Sequence, residues 1–168
     1  MFRDCSFDNY EATQEIYDVV NTFFKLPSNI LFYGPNGVGK THLLVAMYKV
    51  AAHLCGFVGN GGPLFVEWAA LVQNIKDGFS DGTSSGILHE YTAPKILFID
   101  DVTVKMSSFD RDIFGKIIVN RYNTATFIVM TSNDSDSSLL NSLGSHESSR
   151  LLDNFTAVEI LGKDRRCD

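Results

Sequence analysis

Apolar positions along this chain follow two rhythms. Ala12, Ile16, Val19, Val20 and Phe23 recur at helical spacing within residues 11–24, and Pro27 stops that helix by disfavouring helical geometry just before it. Residues 30–33, 95–101 and 126–130 are instead nearly continuous apolar runs of strand length, with further strand-like runs at 64–67 and 157–161. Helical patterns fall between them at 41–54, 69–79 and 109–122. A partly helical stretch at 139–152 is broken by Gly144. Glycine-rich 56–63 and the Gly/Ser/Asp segment 80–85 read as loops, the second a flexible one. Apolar strands alternating with helices predict a parallel sheet covered on both faces. No internal repeat or second domain interrupts the pattern. The whole of 1–168 reads as one domain, with an entry segment and helix at 1–28 and the core at 29–168.

Composition narrows the class. Hydrophobic residues are 45% and charged residues 20% of the 168, ordinary for a globular domain of this size. The net charge of −6 offers no broad basic field for nucleic acid. Cys5, Cys55 and Cys167 are widely spaced and form no C-x-x-C pair, so a disulfide frame or zinc site is not expected. Charges at Arg3, Asp4 and Asp8 interrupt any signal-like apolar run, and no stretch is long enough to span a bilayer. A cytoplasmic location without membrane contact is expected.

The chemistry concentrates after the first apolar strand. Gly34-Pro35-Asn36-Gly37-Val38-Gly39-Lys40-Thr41 has the G-x-x-x-x-G-K-T spacing of a phosphate-binding loop, between an expected strand and an expected helix that takes in His42. Glycines let backbone N–H groups close around phosphate oxygens, and the helix N-terminus aims further N–H groups at the same anion. Lys40 is expected to neutralise the β- and γ-phosphates and the Thr41 hydroxyl to hold Mg²⁺, so ATP and Mg²⁺ are the expected ligands.

Asp100 and Asp101 end a buried apolar strand, at the strand terminus where open α/β sheets bind ligands. Asp100 fits an acid that holds Mg²⁺ through water, and Asp101 a base that polarises the attacking water. Asn133 follows another apolar strand; it fits either a group orienting that water or a cap of the turn with Asp134 and Ser135. The four histidines show no metal-ligand spacing. Arg111, Lys116 and Arg121 recur five apart and read as a solvated helix face. Arg150, taken alone, reads as a surface residue.

Together, Gly34 to Leu43, Ile96 to Val102 and Thr131-Ser132-Asn133 resemble the AAA+ ATPases of the initiator and helicase-loader branch. More specifically, they resemble the DnaC/DnaI-type replicative helicase loaders and the similar IstB-type transposition ATPases. Phe7-Asp8-Asn9-Tyr10, Asn120-Arg121-Tyr122, Ser149-Arg150-Leu151 and the stretch from Val158 to Arg166 resemble further parts of that family. The resemblance implies a three-layer P-loop sandwich on a five-stranded parallel sheet. It also implies that Asp100 is the metal acid, Asp101 the catalytic carboxylate and Asn133 the sensor 1 residue.

Arg150 matches the arginine finger that reaches a neighbouring subunit's ATP, so self-association through a composite site is implied. The expected function is an ATP-hydrolysing oligomeric switch on a replicative helicase and single-stranded DNA. The alternatives are a transposition helper on duplex DNA, or an adaptor that binds ATP without turnover. Asp101 stands where many AAA+ enzymes have Glu, so slow hydrolysis is expected. The motifs begin near Met1 and end with the last strand. Neither the loaders' N-terminal helicase-gripping domain nor a C-terminal lid with its sensor 2 arginine is therefore expected.

Overall fold

The computed structural model describes residues 4–55, 62–80, 82–142 and 155–165. Five strands, β1 (Asn29–Tyr33), β2 (Leu64–Glu67), β3 (Ile96–Val102), β4 (Phe127–Ser132) and β5 (Phe155–Glu159), form one sheet in the order β2-β3-β4-β1-β5. All four pairings are parallel. The pleat sorts the strand residues by parity. Ile30, Phe32, Ile96, Phe98 and Val129 face α1 (Gln14–Lys25) and α2 (Lys40–Cys55), through Ile16, Val20, Phe23, Leu44 and Met47. Leu31, Leu97, Ile99, Ile128 and Met130 face α3 (Trp68–Ser80), α5 (Ser108–Asn123) and α6 (Asp136–Ser142), through Leu71, Ile75, Phe114, Ile117 and Leu139. The continuous apolar runs are thus strands buried on both faces, and the expected three-layer sandwich is the fold.

Local chemistry sets the helix starts. Thr13 accepts a hydrogen bond from the Ile16 N–H at the head of α1. Ser107 and Asp110 form a reciprocal capping box on α5, with bonds of 3.2 and 3.0 Å. The N-terminal segment adds a single 3-10 turn at Phe7–Asn9.

The structure corrects several expectations. The expected loop at 80–85 is cut short at Ser84, where a further helix, α4 (Ser84–Thr92), begins. Gly78 permits this, because a Cβ there would stand 2.5 Å from Ile87 Cδ1 and 3.1 Å from the Ser84 backbone. Strand β4 runs two residues past its expected end and takes Thr131 and Ser132 into the sheet. Strand β5 begins two residues early. Helix α6 starts before 139, and the remainder of that expected stretch lies outside the described residues.

A further correction concerns charge. Arg111 and Lys116 are exposed as expected, but Arg121 is 1% exposed. Its Nη1 donates to the carbonyls of Tyr91 and Thr92, and its Nη2 to those of Pro94 and Phe127. The guanidinium therefore ties the end of α4 and the entries to β3 and β4 onto α5. Burial brings its pKa down to about 10.

Candidate functional site

The site lies at the carboxyl edge of the sheet, where β1, β3 and β4 end side by side. Gly34 leaves β1 at φ 147°, and a Cβ there would come within 2.2 Å of the Ile160 carbonyl oxygen. Gly37 and Gly39 have φ of 81° and 101°, conformations that L side chains rarely adopt. These glycines bend the loop so that α2 can begin at Lys40. Val38 points the other way, 2% exposed in the core beside α2, and pins the loop.

Lys40 is only 7% exposed. Its Nζ donates to the Gly34 carbonyl at 2.8 Å, the Pro35 carbonyl at 2.6 Å and Asn133 Oδ1 at 2.7 Å. Asn133 Nδ2 in turn donates to Asp101 Oδ1 at 2.8 Å. Of the two sequence readings of Asn133, the turn cap does not describe its side chain. Serines do that instead: Ser132 Oγ accepts the Asp134 N–H at 3.0 Å and Ser135 Oγ the Ser138 N–H at 3.3 Å, while the Asp134 carboxylate accepts from the Val104 N–H at 2.8 Å.

Asp100 and Asp101 sit at an irregularity of β3. Ile99 pairs with Met130 and Val102 with Ser132, so β3 carries one more residue than β4 across this interval. Asp101 takes up the extra length at φ 58° and is exposed to the cleft, whereas Asp100 stays 5% exposed. Thr131 serves both acids. Its hydroxyl donates to Asp100 Oδ1 at 2.5 Å and accepts from the Asp101 N–H at 2.9 Å. Thr41 Oγ1 donates to the same Asp100 oxygen at 3.0 Å.

Burial raises the Asp100 pKa above the ordinary aspartate value, and the neighbouring Asp101 charge adds to the rise. The Thr131 and Thr41 hydroxyls and Lys40 work against it. The Thr41 and Asp100 donors are all oxygen, which suits Mg²⁺, an ion that keeps water and phosphate among its ligands. Among the described residues no cluster of three or more His, Cys, Asp or Glu forms a metal site by itself.

These groups line a cleft of about 480 Å³, together with Asn36, Gly37, Gly39 and His42. His42 turns its Nε2 to the N-terminal segment, 3.0 Å from Ser6 O and from Asn9 Oδ1, and its ring lies 5.3 Å from that of Tyr10. Arg150 lies outside the described residues. The sequence reading did not single out Glu67 or Arg165, yet both line the cleft. Glu67 arrives through its register beside Asp100, and Arg165 through a tail that returns to the loop; neither carries a local motif.

The strand order and the loop between β1 and α2 define a P-loop NTPase of the AAA+ type, and solved structures agree. The DnaC helicase loader superposes with a TM-score of 0.81 at 22% identity, over 95% of this chain and 98% of that one. Domain III of the Thermotoga maritima replication initiation protein DnaA gives 0.82 at 19%, over 98% and 70%. AMPPCP-bound DnaA from Aquifex aeolicus gives 0.78 at 23%, over 92% and 49%. At these identities the likeness establishes the fold.

The chain belongs to the IstB-like ATP binding protein family, whose profile matches residues 5–157. The ATP-binding protein of insertion sequence IS232 from Bacillus thuringiensis subsp. berliner is 29% identical over 163 residues, 91% of this chain and 62% of that protein. The corresponding protein of IS21 from Pseudomonas aeruginosa is 25% identical over 150 residues, 86% of this chain and 54% of that one. The chain thus spans less than two thirds of either relative. No helix among the described residues is long and apolar enough to cross a membrane.

Proposed function

We propose that this protein hydrolyses ATP, working as one AAA+ domain in a cytoplasmic oligomer assembled on DNA. The observation that carries this reading is the unbroken chain from Lys40 through Asn133 to Asp101, which couples a cation for the phosphates to a carboxylate facing the cleft. The P-loop N–H groups and Lys40 hold the triphosphate, Lys40 exchanging carbonyl partners for phosphate oxygens. The Thr41 hydroxyl, with Asp100 through water, would hold Mg²⁺, which neutralises charge developing on the phosphates. Asp101 accepts a proton from water as the water oxygen bonds to the γ-phosphorus. The bond from that phosphorus to the bridging oxygen breaks, leaving ADP and phosphate. Asn133 holds Asp101 in position for this transfer, and Arg150 of a neighbouring subunit supplies positive charge to the transferred group.

The insertion-sequence relatives favour a transposition helper that acts on duplex DNA. A replicative helicase loader on single-stranded DNA is the second reading, favoured by a DnaC fold match that takes in nearly all of that structure. Light scattering with ATP or a non-hydrolysable analogue, on duplex and on single-stranded DNA at fixed salt, separates them. An ATP-dependent rise in mass on duplex supports the helper, and the same rise on single strands supports the loader. ATP turnover that persists in Lys40→Ala would overturn the assignment of hydrolysis to this cleft.

A further inference from the structure

The tail after β5 returns to the P-loop. Ile160 N–H donates to the Tyr33 carbonyl at 2.7 Å, and Arg165 N–H donates to the Gly37 carbonyl at 3.0 Å. The Arg165 side chain then lies along the loop, with Cδ and Nε 3.8 Å from where a Cβ on Gly39 would stand. Its Nη2 donates to the Glu11 carbonyl at 3.0 Å, and its Cζ lies 5.1 Å from the centre of the Tyr10 ring. Arg165 thus fastens the tail, the loop and the N-terminal segment together at one wall of the cleft.

A guanidinium has five N–H donors, and a single backbone carbonyl occupies one of them here. Arg165 makes no ion pair among the described residues, and it lines an anion-binding cleft. Its place within the cleft matters. Lys40 Nζ, the Gly34 and Pro35 carbonyls, Asn133 and Asp101 mark the end where the γ-phosphate belongs. Arg165 touches none of these groups, and meets the loop at Gly37 and Gly39, toward the start of α2. With the γ-phosphate at that end, the ribose and base of a bound nucleotide would extend toward the wall where Arg165 stands.

We infer that Arg165 is a binding residue for the nucleoside end of ATP, reaching the ribose and base shared by ATP and ADP. The inference rests on the proposal that this cleft binds ATP.

The test measures dissociation constants of ATP and ADP, and the competition constant of tripolyphosphate, by displacement of a fluorescent ATP analogue with Mg²⁺. Wild type, Arg165→Ala, Arg165→Lys and Lys40→Ala are compared. Loss of one charge-assisted contact should weaken ATP and ADP alike by about tenfold in Arg165→Ala, with partial recovery in Arg165→Lys. Tripolyphosphate, which lacks the nucleoside, should change by less than about twofold. An equal loss for tripolyphosphate would show a merely structural role, and selective loss of ATP over ADP a γ-phosphate sensor. Either result, or unchanged nucleotide affinity, overturns the inference. Failure of wild type to bind ATP, or wild-type affinity in Lys40→Ala, would instead overturn the ATP-site reading beneath it.

Discussion

Asn133 Oδ1 accepts a hydrogen bond from Lys40 Nζ at 2.7 Å across 93 positions of sequence, while the same amide donates to Asp101. A side chain with both a donor and an acceptor is required for this bridge, which Asn supplies and Ala or Asp does not. Asn133→Ala should leave ATP affinity within about threefold and lower turnover by about 10²-fold, the scale for losing one preorganised polar group. Steady-state ATPase measurements beside nucleotide binding check the split. Equal losses in both would show that Asn133 acts on binding alone.

Thr131 is 1% exposed and occupied on both sides, by the Asp100 carboxylate and the Asp101 N–H. Thr131→Val keeps the shape and removes both bonds, leaving the bulge's amide without its acceptor. A loss of about 2 kcal/mol of stability is expected, with a fall in turnover as Asp101 loses its fixed backbone. Thr131→Ser retains the hydroxyl and should recover most of both. Urea unfolding of the pair tests this, and equal stability of Val and Ser variants would contradict it.

Asp100 pays for its burial in the nucleotide-free protein. Its folded pKa lies above the ordinary aspartate value, so between the two values the fold holds a proton that the unfolded chain has lost. The contribution to stability is fully present below the unfolded value and is lost as pH rises through the folded one. Asp100→Asn lacks this titration yet can still accept from Thr131 and Thr41. It should therefore melt higher than wild type at neutral pH without nucleotide, and the difference should narrow as the solution is acidified. Melting temperatures across the acidic range provide the measurement, and a difference independent of pH would contradict this origin.

Arg121 offers its guanidinium to four carbonyl oxygens at a buried junction. Arg121→Met should cost about 3 kcal/mol or more, because those carbonyls lose their donors where water does not reach. Arg121→Lys should recover little, since an ammonium cannot reproduce the planar fork. Chemical denaturation of both variants checks this; full recovery in the Lys variant would show that charge alone matters.

The parts of the site legible in the sequence were those carried by local pattern. The P-loop announces itself by spacing, and Asp100 by the apolar run that ends in it, because each motif is a few residues bound to one strand end. Residues that meet only through the fold left no such mark. Arg121 reads as one of three spaced surface charges until α4 and the entries to β3 and β4 bring carbonyls around it. The bulge that exposes Asp101 while Asp100 stays buried is a property of two paired strands, and β3 by itself shows only a pair of acids. Helix α4 was missed because Ser84, Ser85 and Gly86 at its start favour loops, and its stability comes from packing on α3. Resemblance, rather than spacing, distinguishes Asn133 from a turn residue; its side chain lies between Lys40 and Asp101.

In the proposed function each ATP is hydrolysed between two subunits, with Lys40 from one and Arg150 from the next. Mixing Lys40→Ala protein with Arg150→Ala protein tests it most directly, by ATPase rate on DNA at a concentration where wild type assembles. Each variant alone should be nearly inactive. The mixture should regain a substantial share of wild-type turnover, because the Lys40→Ala subunit still lends its Arg150 to ATP held by its neighbour. Full activity in Arg150→Ala alone, or a mixture no more active than its components, would contradict a shared site.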